Sequence, residues 1–422
     1  MERSPALEQI PAPQAAGLGR LLSWSLFGNL VYAGCQWAML MLLAKLGQPE
    51  TVGIFALALA VTAPVFAFAN FQLRAIQAGD VRADHAFASY FGFRIVTSAL
   101  GLGAILVAGF LADSRLEVVA VILLVGLAKA AESLSDILYG LFQKHERLDR
   151  MALSMVVKGL LALLGLGLGM ALFQSLLVGA GLMAVGWIAL FLAYDLPNAR
   201  ALLRRGADVR LARPQFALAA FRALLLLSLP MAVVVLMNSL SQNVPRYFIA
   251  RHYDADELGY YAAIAYLMTA MGVVSTAIGN SILTRFAIYF GTDRRAFIGL
   301  LVKGLLLLGG ISLVGLVAAL LYGPELLTLL YTDAYAGYAP VLVQTMIGAL
   351  LVSLGSVLGT AMTAARSFWP QAVNAGLFLA TAAAASAVLV PLDGAFGAAV
   401  AFNIAAAVKL AALAVNLARV LR

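Results

Sequence analysis

Charge is scarce in this 422-residue chain: only 11% of its residues are Asp, Glu, Lys or Arg, against roughly 25% in an ordinary soluble domain. Hydrophobic residues make up 63% of the chain, and the mean hydropathy is +0.96. One soluble domain of this length cannot hide so much apolar surface, so lipid must solvate much of it. The composition therefore excludes a soluble enzyme, a disordered chain and a fibrous repeat.

Cysteine and histidine are also scarce. The single cysteine, Cys35, lies in the first apolar run, which excludes a disulfide framework and a cysteine-ligated metal site. The histidines His85, His145 and His252 lie far apart and near predicted loops. The sequence therefore predicts no zinc or haem site, and we expect no cofactor.

Nucleotide-binding and catalytic motifs are missing from the sequence. It contains no G-x-x-x-x-G-K-(S/T) loop, so this chain does not hydrolyse ATP, and no H-E-x-x-H or G-x-S-x-G. No predicted loop is large enough for the outer domain expected of a glycan polymerase or ligase. The net charge of +8 comes from residues between apolar runs, which indicates loop charges and not a nucleic-acid surface. We therefore predict a non-enzyme.

Long apolar runs dominate the sequence, and a helix needs about 20 such residues to cross the hydrocarbon core. They predict an all-α integral membrane protein with about 12 transmembrane helices. The predicted spans are 21–43, 52–73, 88–112, 117–142, 152–172, 175–195, 222–243, 258–283, 297–323, 337–364, 370–391 and 395–418.

The charged connections predict the orientation. Lys and Arg concentrate on one side, and the 196–221 connection is its strongest anchor, with Arg204, Arg205, Arg210 and Arg213. Because cytoplasmic loops carry the positive excess, we expect both termini in the cytosol. The opposite side holds only Lys45, Arg115, Arg246 and Arg251.

An internal repeat divides the predicted helices into two lobes. At one constant offset between 36–62 and 242–268, Gln36 aligns with Gln242 and Gly53 with Gly259. A weaker match pairs 140–147 with 359–366. The two six-helix lobes are thus predicted to be related by a parallel repeat, with a pseudo-two-fold axis along the membrane normal. The predicted domains are a cytosolic tail (1–20), an N-lobe (21–195), a basic linker (196–221) and a C-lobe (222–422).

Several segments resemble one family of membrane exporters. LLAKLGQPETVGIFALALAVTAPVFAFANFQLR, which closes with Asn70 to Arg74, resembles the opening of the bacterial polysaccharide exporters. These form the O-antigen flippase branch of the multidrug/oligosaccharidyl-lipid/polysaccharide superfamily. GLFQKHERLDRMALSMVVKGLL and RYFIARHYDADELGYYAAIAYL look like the family's helix 4–5 and helix 7–8 turns. LYTDAYAGYAPVL looks like its approach to helix 10, and PLDGAFGAAVAFNIA resembles its closing turn into helix 12.

The resemblance covers nearly the whole chain and implies two lobes around a central cavity. It implies that the chain moves undecaprenyl-diphosphate-linked glycans to the outer leaflet, beside a polysaccharide polymerase and other assembly proteins. One departure matters. Many relatives end helix 7 with an acid near N-(I/L)-D-R, where this chain reads Asn243–Val244–Pro245–Arg246. Ion coupling assigned to that acid is therefore not carried over.

The fourth predicted span carries a polar stripe. Lys129, Glu132, Asp136, Tyr139 and Gln143 follow one another at helical spacing and share one narrow face, which cannot contact lipid. Lys129 and Glu132 are spaced to pair within the helix. Asp136 has no cation left on its own helix, so it either lines a watery cavity or pairs across helices, and a proton-linked role stays open.

Basic side chains inside the spans form the predicted substrate site. A charge at the bilayer centre costs on the order of 3 kcal/mol, and by default marks a functional pathway. A lipid diphosphate crossing hydrocarbon needs fixed donors and opposite charge in place of water. The predicted cationic cavity comprises Arg94, Lys129, Lys158, Arg246, Lys303 and Lys409. The predicted polar or coupling residues are Asn29, Gln36, Glu132, Asp136, Asn238 and Gln242.

Three alternatives to a lipid-linked oligosaccharide flippase stay open. A multidrug or cation exporter should line its cavity with acids, whereas interior basic residues here outnumber Glu132 and Asp136. A peptidoglycan-precursor flippase usually has fourteen helices and a longer chain. A membrane glycosyltransferase should carry an acidic pair in an outer loop. Asp254, Asp256 and Glu257 form such a cluster, but loop solvation explains it better.

Overall fold

The computed structural model describes residues 18–80, 86–205, 214–365 and 367–421, and nearly all of them are helical. Residues 1–17 of the predicted tail, His85, Arg210 and Arg213 lie outside the described residues. The first half of the described chain contains Leu18–Leu46 (α1), Pro49–Ala69 (α2), the short Leu73–Gly79 (α3), Phe87–Ala112 (α4), Leu116–Lys144 (α5), Leu148–Phe173 (α6), Leu176–Leu190 (α7) and Leu196–Arg205 (α8). The second half contains Leu218–His252 (α9), Ala255–Thr292 (α10), Arg294–Leu330 (α11), Ala339–Ala364 (α12) and Phe368–Val420 (α13).

Within the described residues, 11 helices are long and apolar enough to cross a membrane. The last of them, α13, contains two predicted spans. Its backbone leaves helical geometry at Asp393 and at Gly394, which has a φ of +51°. A Cβ placed on Gly397 would lie 2.1 Å from the Leu389 carbonyl oxygen. Eight residues of continuous helix would span about 12 Å, so the chain must reverse between these positions. The predicted turn in PLDGAFG is therefore present, and α13 is a helical hairpin.

The connection that was expected to be a loop after residue 195 is helical up to Arg205. Helix α7 continues through a π-helical segment, Phe191–Asp195, into α8. Ala199 and Leu203 of α8 are buried against α5, and Arg150 donates a hydrogen bond to the Asn198 carbonyl oxygen at 3.1 Å. A short amphipathic helix with this many arginines is not an apolar run, so a search for membrane spans overlooks it.

Because successive helices alternate in direction, the turns fall at two ends of the bundle. The upper end, as named here, holds the turns after α1, α4, α6, α9 and α11 and the break in α13. Two contacts join these turns: Arg115 pairs with Glu50 at 2.9 Å, and Lys45 donates to the Leu329 carbonyl oxygen at 3.1 Å. The lower end holds the remaining turns, and there Lys144 donates to the Asp80 carbonyl oxygen at 2.8 Å.

Helices pack mainly within each half of the chain. In the first half, α1 packs against α6, and α5 packs against α2, α4 and α7. In the second half, α13 packs against α9 and α12, and α12 also packs against α10 and α11. The halves meet where α2 crosses α9 and α10.

The contact between α2 and α10 is reciprocal. A Cβ on Gly53 would lie 1.8 Å from the Ala255 carbonyl oxygen, and a Cβ on Gly259 would lie 2.0 Å from the Pro49 carbonyl oxygen. Gly53 and Gly259 align in the sequence repeat, and at the same offset Pro49 aligns with Ala255. Gly53 thus contacts Ala255, and its counterpart Gly259 contacts Pro49, the counterpart of Ala255. A pseudo-two-fold axis that exchanges the two halves requires this pair of equivalent contacts. The parallel repeat is thus expressed in the fold.

The outside of the bundle is apolar. Large hydrophobic side chains are strongly exposed along several helices, including Leu111, Leu172, Leu306 and Val314. Such a surface is expected where lipid is the solvent. The predicted fold class, an all-α membrane protein with repeated lobes, is confirmed.

Candidate functional site

A charged network crosses the first half at mid-height and continues towards the lower end. At its top, Lys129 donates to Glu132 at 2.8 Å within α5, as the spacing predicted. Tyr32 of α1 also donates to Glu132. The ammonium group of Lys129 lies 5.5 Å from the centre of the Trp187 ring on α7. The polar stripe of α5 is thus packed against α1 and α7.

Asp136 pairs across helices, which resolves the alternative left open by the sequence. Its two carboxylate oxygens each lie 3.3 Å from a guanidinium group, one from Arg94 on α4 and one from Arg74 on α3. Arg94 has no exposed surface, and it also donates to Asn70 and, at 3.2 Å, to Ser133. Hydrogen bonding to several acceptors makes a buried guanidinium tolerable.

Lys158 lies in the same network, one helix further on. It is 1% exposed and donates to the Tyr139 hydroxyl at 3.1 Å. Ser154 contacts Tyr139 and the fully buried Asp195, and Asp195 accepts a hydrogen bond from Ser135 at 2.6 Å. Lys158 thus shares a polar pocket with a carboxylate.

Charges in the first-half network are closely balanced. Its cations are Arg74, Arg94, Lys129 and Lys158, and its carboxylates are Glu132, Asp136 and Asp195. Arg94, Lys129 and Lys158, three of the predicted cavity cations, therefore contribute mainly to internal pairing. The strongly cationic character expected of these residues is largely cancelled.

The second half contains a cavity of about 1130 Å³ that opens between its helices and the start of α1. Three stripes at helical spacing converge on it: Asn238 and Gln242 from α9, Gln371, Asn374 and Phe378 from the first arm of α13, and Phe402 and Lys409 from the second arm. Helices α10 and α12 add small and hydroxyl side chains, and α1 adds Asn29.

Lys409 is the one charged side chain among the described residues that line this cavity. It donates to the side-chain oxygen of Asn238 at 2.7 Å, and its ammonium group lies 4.5 Å from the centre of the Phe378 ring. Neither partner carries a negative charge. In contrast to the network of the first half, no carboxylate among the described residues lies within ion-pair distance of Lys409.

The remaining predicted residues are dispersed. Arg246, two turns above Asn238 on α9, donates to Asn243 at 3.0 Å, and its Nε has no partner among the described atoms. Gln36 is 8% exposed, and its amide nitrogen has no described partner either. Lys303 differs from its predicted cavity position. It lies on an exposed face of α11 beside Val302 and Leu306, because Gly304 and Leu308 turn towards the interior.

A second cavity, of about 1020 Å³, separates α2 and α4 from α9. Its lining is almost entirely apolar, with Val65, Phe68, Val96 and Leu236 among its residues, and Tyr247 and Arg251 lie towards its upper rim. We call it the apolar cleft. It lies at the junction of the two halves of the chain.

Several residues of these sites could not be selected from the sequence. In the sequence Asn70 and Arg74 stand out only as the ends of one motif, whereas in the structure Arg74 pairs with Asp136 and Asn70 accepts from Arg94. Asp195 and Asn374 are single polar residues in apolar runs, and their burial, 0% and 2% exposed, is a property of packing. A rule that selects every polar residue deep inside a span would have found Asn374.

Comparison with known sequences gives one family and one curated relative. A family model described as "Polysaccharide biosynthesis protein" matches residues 18–289. The capsular polysaccharide biosynthesis protein CapF of Staphylococcus aureus is 25% identical over 339 residues, which cover 80% of this chain and 83% of CapF.

Solved structures of two kinds share the fold. The lipid II flippase MurJ, in an inward closed conformation, matches with a TM-score of 0.72 at 13% identity, over 94% of this chain and 87% of that one. The Vibrio cholerae MATE transporter VcmN matches with a TM-score of 0.64 at 15% identity, over 95% of both chains. At these identities the likeness concerns the fold alone.

Proposed function

The chain belongs to the polysaccharide biosynthesis protein family, and from that premise we propose that it is a flippase for a lipid-linked oligosaccharide. It moves a glycan on undecaprenyl diphosphate across the bacterial inner membrane, with both termini in the cytosol. It acts as a transporter and not as an enzyme. The family match and the capsular relative support a role in surface polysaccharide assembly, and the apolar exterior supports a membrane location.

The observation that carries the proposal is the uncompensated charge of Lys409. A diphosphate that leaves water needs a fixed cation and hydrogen-bond donors. Lys409 supplies the cation, and neighbouring amides such as Asn238 and Gln242 supply further polar groups. A lysine attracts an anion as a point charge and lacks the bidentate hydrogen bonding of arginine. This weaker binding suits a transporter that must also release its substrate.

Arg246 provides a second positive charge, on α9 and therefore on a different helix from Lys409. It lies eight residues above Asn238, about 12 Å along α9, and its Nε has no partner among the described atoms. The two cations therefore define a path for an anion between the lower half and the upper half of the membrane. The apolar cleft at the junction of the halves is suited to the polyprenyl chain.

A cation exporter is a weaker candidate for this chain. The fold is shared with MATE transporters, but a cavity for cationic drugs should contain a carboxylate. Among the described residues that line the second-half cavity, the charged side chain is a lysine. Lys409 would repel a cationic substrate and attract an anionic one.

The proposal is tested by deletion of the gene and extraction of lipid-linked glycans. We expect glycan-bearing undecaprenyl diphosphate to accumulate and surface polysaccharide to disappear. Complementation with Lys409→Ala should restore less than a tenth of wild-type export at an unchanged protein level in the membrane. Complementation with Lys144→Ala, which removes an exposed lysine at the lower end, should restore export fully.

Two results would contradict the proposal. Intact surface polysaccharide in the deletion strain, together with sensitivity to cationic dyes, would indicate a drug exporter. Full export by Lys409→Ala would show that the cavity lysine does not hold the substrate.

A further inference from the structure

We propose that the second-half cavity contains a glycan-recognition subsite built around Asn374. This cavity then recognises the sugar as well as the diphosphate. The inference rests on the proposed function and adds the part of the substrate that is recognised and the residues that recognise it. It predicts that the chain distinguishes a glycosylated lipid from the bare polyprenyl diphosphate.

Asn374 is the residue that points to a ligand. It lines the cavity, is 2% exposed, and its side-chain oxygen accepts a hydrogen bond from Asn416 at 3.2 Å. Its side-chain nitrogen has no partner among the described atoms. A buried amide N–H without an acceptor costs about 1–3 kcal/mol. Because Asn374 lines the cavity, a substrate oxygen that reaches this nitrogen would satisfy the donor.

The groups around Asn374 match the surface of a sugar. Gln371 lies one turn away on the same face of α13, and Asn29 of α1 lines the cavity with a further amide. Amides both donate and accept, as sugar hydroxyls do, so each can bind a hydroxyl in either role. Binding sites commonly fix orientation through a few such polar groups on an apolar wall.

The apolar wall is aromatic. Phe378 and Phe402 face each other edge to face, with their ring centres 5.8 Å apart, and both line the cavity. Their rings offer C–H contacts to the apolar face of a pyranose ring. The lining therefore combines the two kinds of contact that a neutral sugar can make.

The position of Lys409 indicates where the diphosphate and the glycan of the proposed substrate bind. Lys409 touches Phe378 and Asn238, whereas Gln371 hydrogen-bonds Thr363 and the Ser367 carbonyl oxygen, at the lower end of the first arm. Seven residues, about 10 Å of helix, separate Gln371 from Phe378. A diphosphate at Lys409 would thus leave an attached glycan beside Asn374 and Gln371.

The test uses two probes: undecaprenyl diphosphate, and the glycan-bearing undecaprenyl diphosphate purified from the deletion strain. Their affinities for the purified full-length protein are measured in detergent. We expect the wild type to bind the glycan-bearing lipid at least tenfold more tightly. Asn374→Ala and Gln371→Ala should each reduce that preference about fivefold and leave the affinity for the bare lipid unchanged. Asn198→Ala deletes a side-chain amide that lies at the lower end, outside the cavity. This variant should change neither the preference nor the affinity for the bare lipid.

Each other result decides against a specific claim. If the bare lipid does not bind the wild type, the proposed diphosphate grip fails and the subsite fails with it. If the bare lipid binds but the glycan adds no affinity, only the subsite is overturned. An unchanged preference in both cavity variants overturns it as well. Gln371 is only half-buried, so Gln371→Ala keeps the test valid if Asn374→Ala does not fold.

Discussion

Asp136 joins three helices of the first half. It holds Arg94 of α4 and Arg74 of α3 from its position on α5. Arg94 has no exposed surface, so its charge depends on this carboxylate and on the oxygens of Asn70 and Ser133. Loss of a partner from such a group leaves a buried charge uncompensated, which costs more than the pair itself contributes.

We therefore predict that Asp136→Ala destabilises the protein by about 3 kcal/mol. The loss should appear as a lower melting temperature in detergent and as less protein in the membrane. The double variant Arg94→Met with Asp136→Leu removes both charges and should recover part of the stability. A normal melting temperature of Asp136→Ala, combined with lost export, would instead make Asp136 a transport residue.

At this scale, helix spacing predicted local pairs, whereas pairs between helices depended on packing. Lys129 and Glu132 were expected to pair because three residues separate them on one helix. Arg74 and Asp136 lie 62 positions apart, and only the packing of α3 against α5 brings them together. For the same reason the sequence could not show that Lys158 lies close to Asp195, or that Lys409 has no carboxylate partner among the described residues.

At the scale of elements, the reciprocal glycine contact closes the upper end between α2 and α10. A single added methyl group at Gly53 or Gly259 would lie about 2 Å from a carbonyl oxygen of the other half. Because the neighbouring atoms belong to the backbone, no side-chain rotation can make room. The two helices must separate.

We predict that Gly53→Ala and Gly259→Ala each open the upper end and reduce export at least tenfold. Spin labels at Gln48→Cys and Asp254→Cys, in a Cys35→Ala background, report the separation of the upper turns. Their distance distribution should shift to longer values in both glycine variants. Gly103→Ala, where no atom lies within 4 Å of the added carbon, is the matched control. An unchanged distance with normal export would show that the contact is incidental.

Element boundaries followed from the sequence wherever a turn interrupts an apolar run. The break of α13 at Asp393 and Gly394 lies between the predicted spans 370–391 and 395–418. The turn at Gln174, in a left-handed conformation with a φ of +52°, likewise separates α6 from α7. Helix α8 was not predicted, because its arginines end the apolar run while its buried alanine and leucine extend the helix.

At the scale of the whole molecule, the two halves repeat each other in fold and differ in electrostatics. The first half contains a partly buried ion-pair network with nearly balanced charge, which is expected to move as one body. The second half contains the cavity whose lysine has no carboxylate partner in the part of the chain that the structure describes. Repetition of the fold therefore does not imply two equivalent sites, and we expect this asymmetry to direct the proposed anionic substrate to the second half.

The charge of the proposed substrate makes transport depend on membrane potential. Moving one negative charge out of a compartment that is 100 mV more negative is favourable by about 2.3 kcal/mol, and a diphosphate carries more than one charge. In proteoliposomes with a potassium gradient and valinomycin, we expect several-fold faster movement of a fluorescent lipid-linked glycan when the starting side is negative. The reversed gradient should slow it, and protein-free vesicles should show neither effect. Equal rates at both signs would mean that compensating ions move with the substrate and that the potential does not drive export.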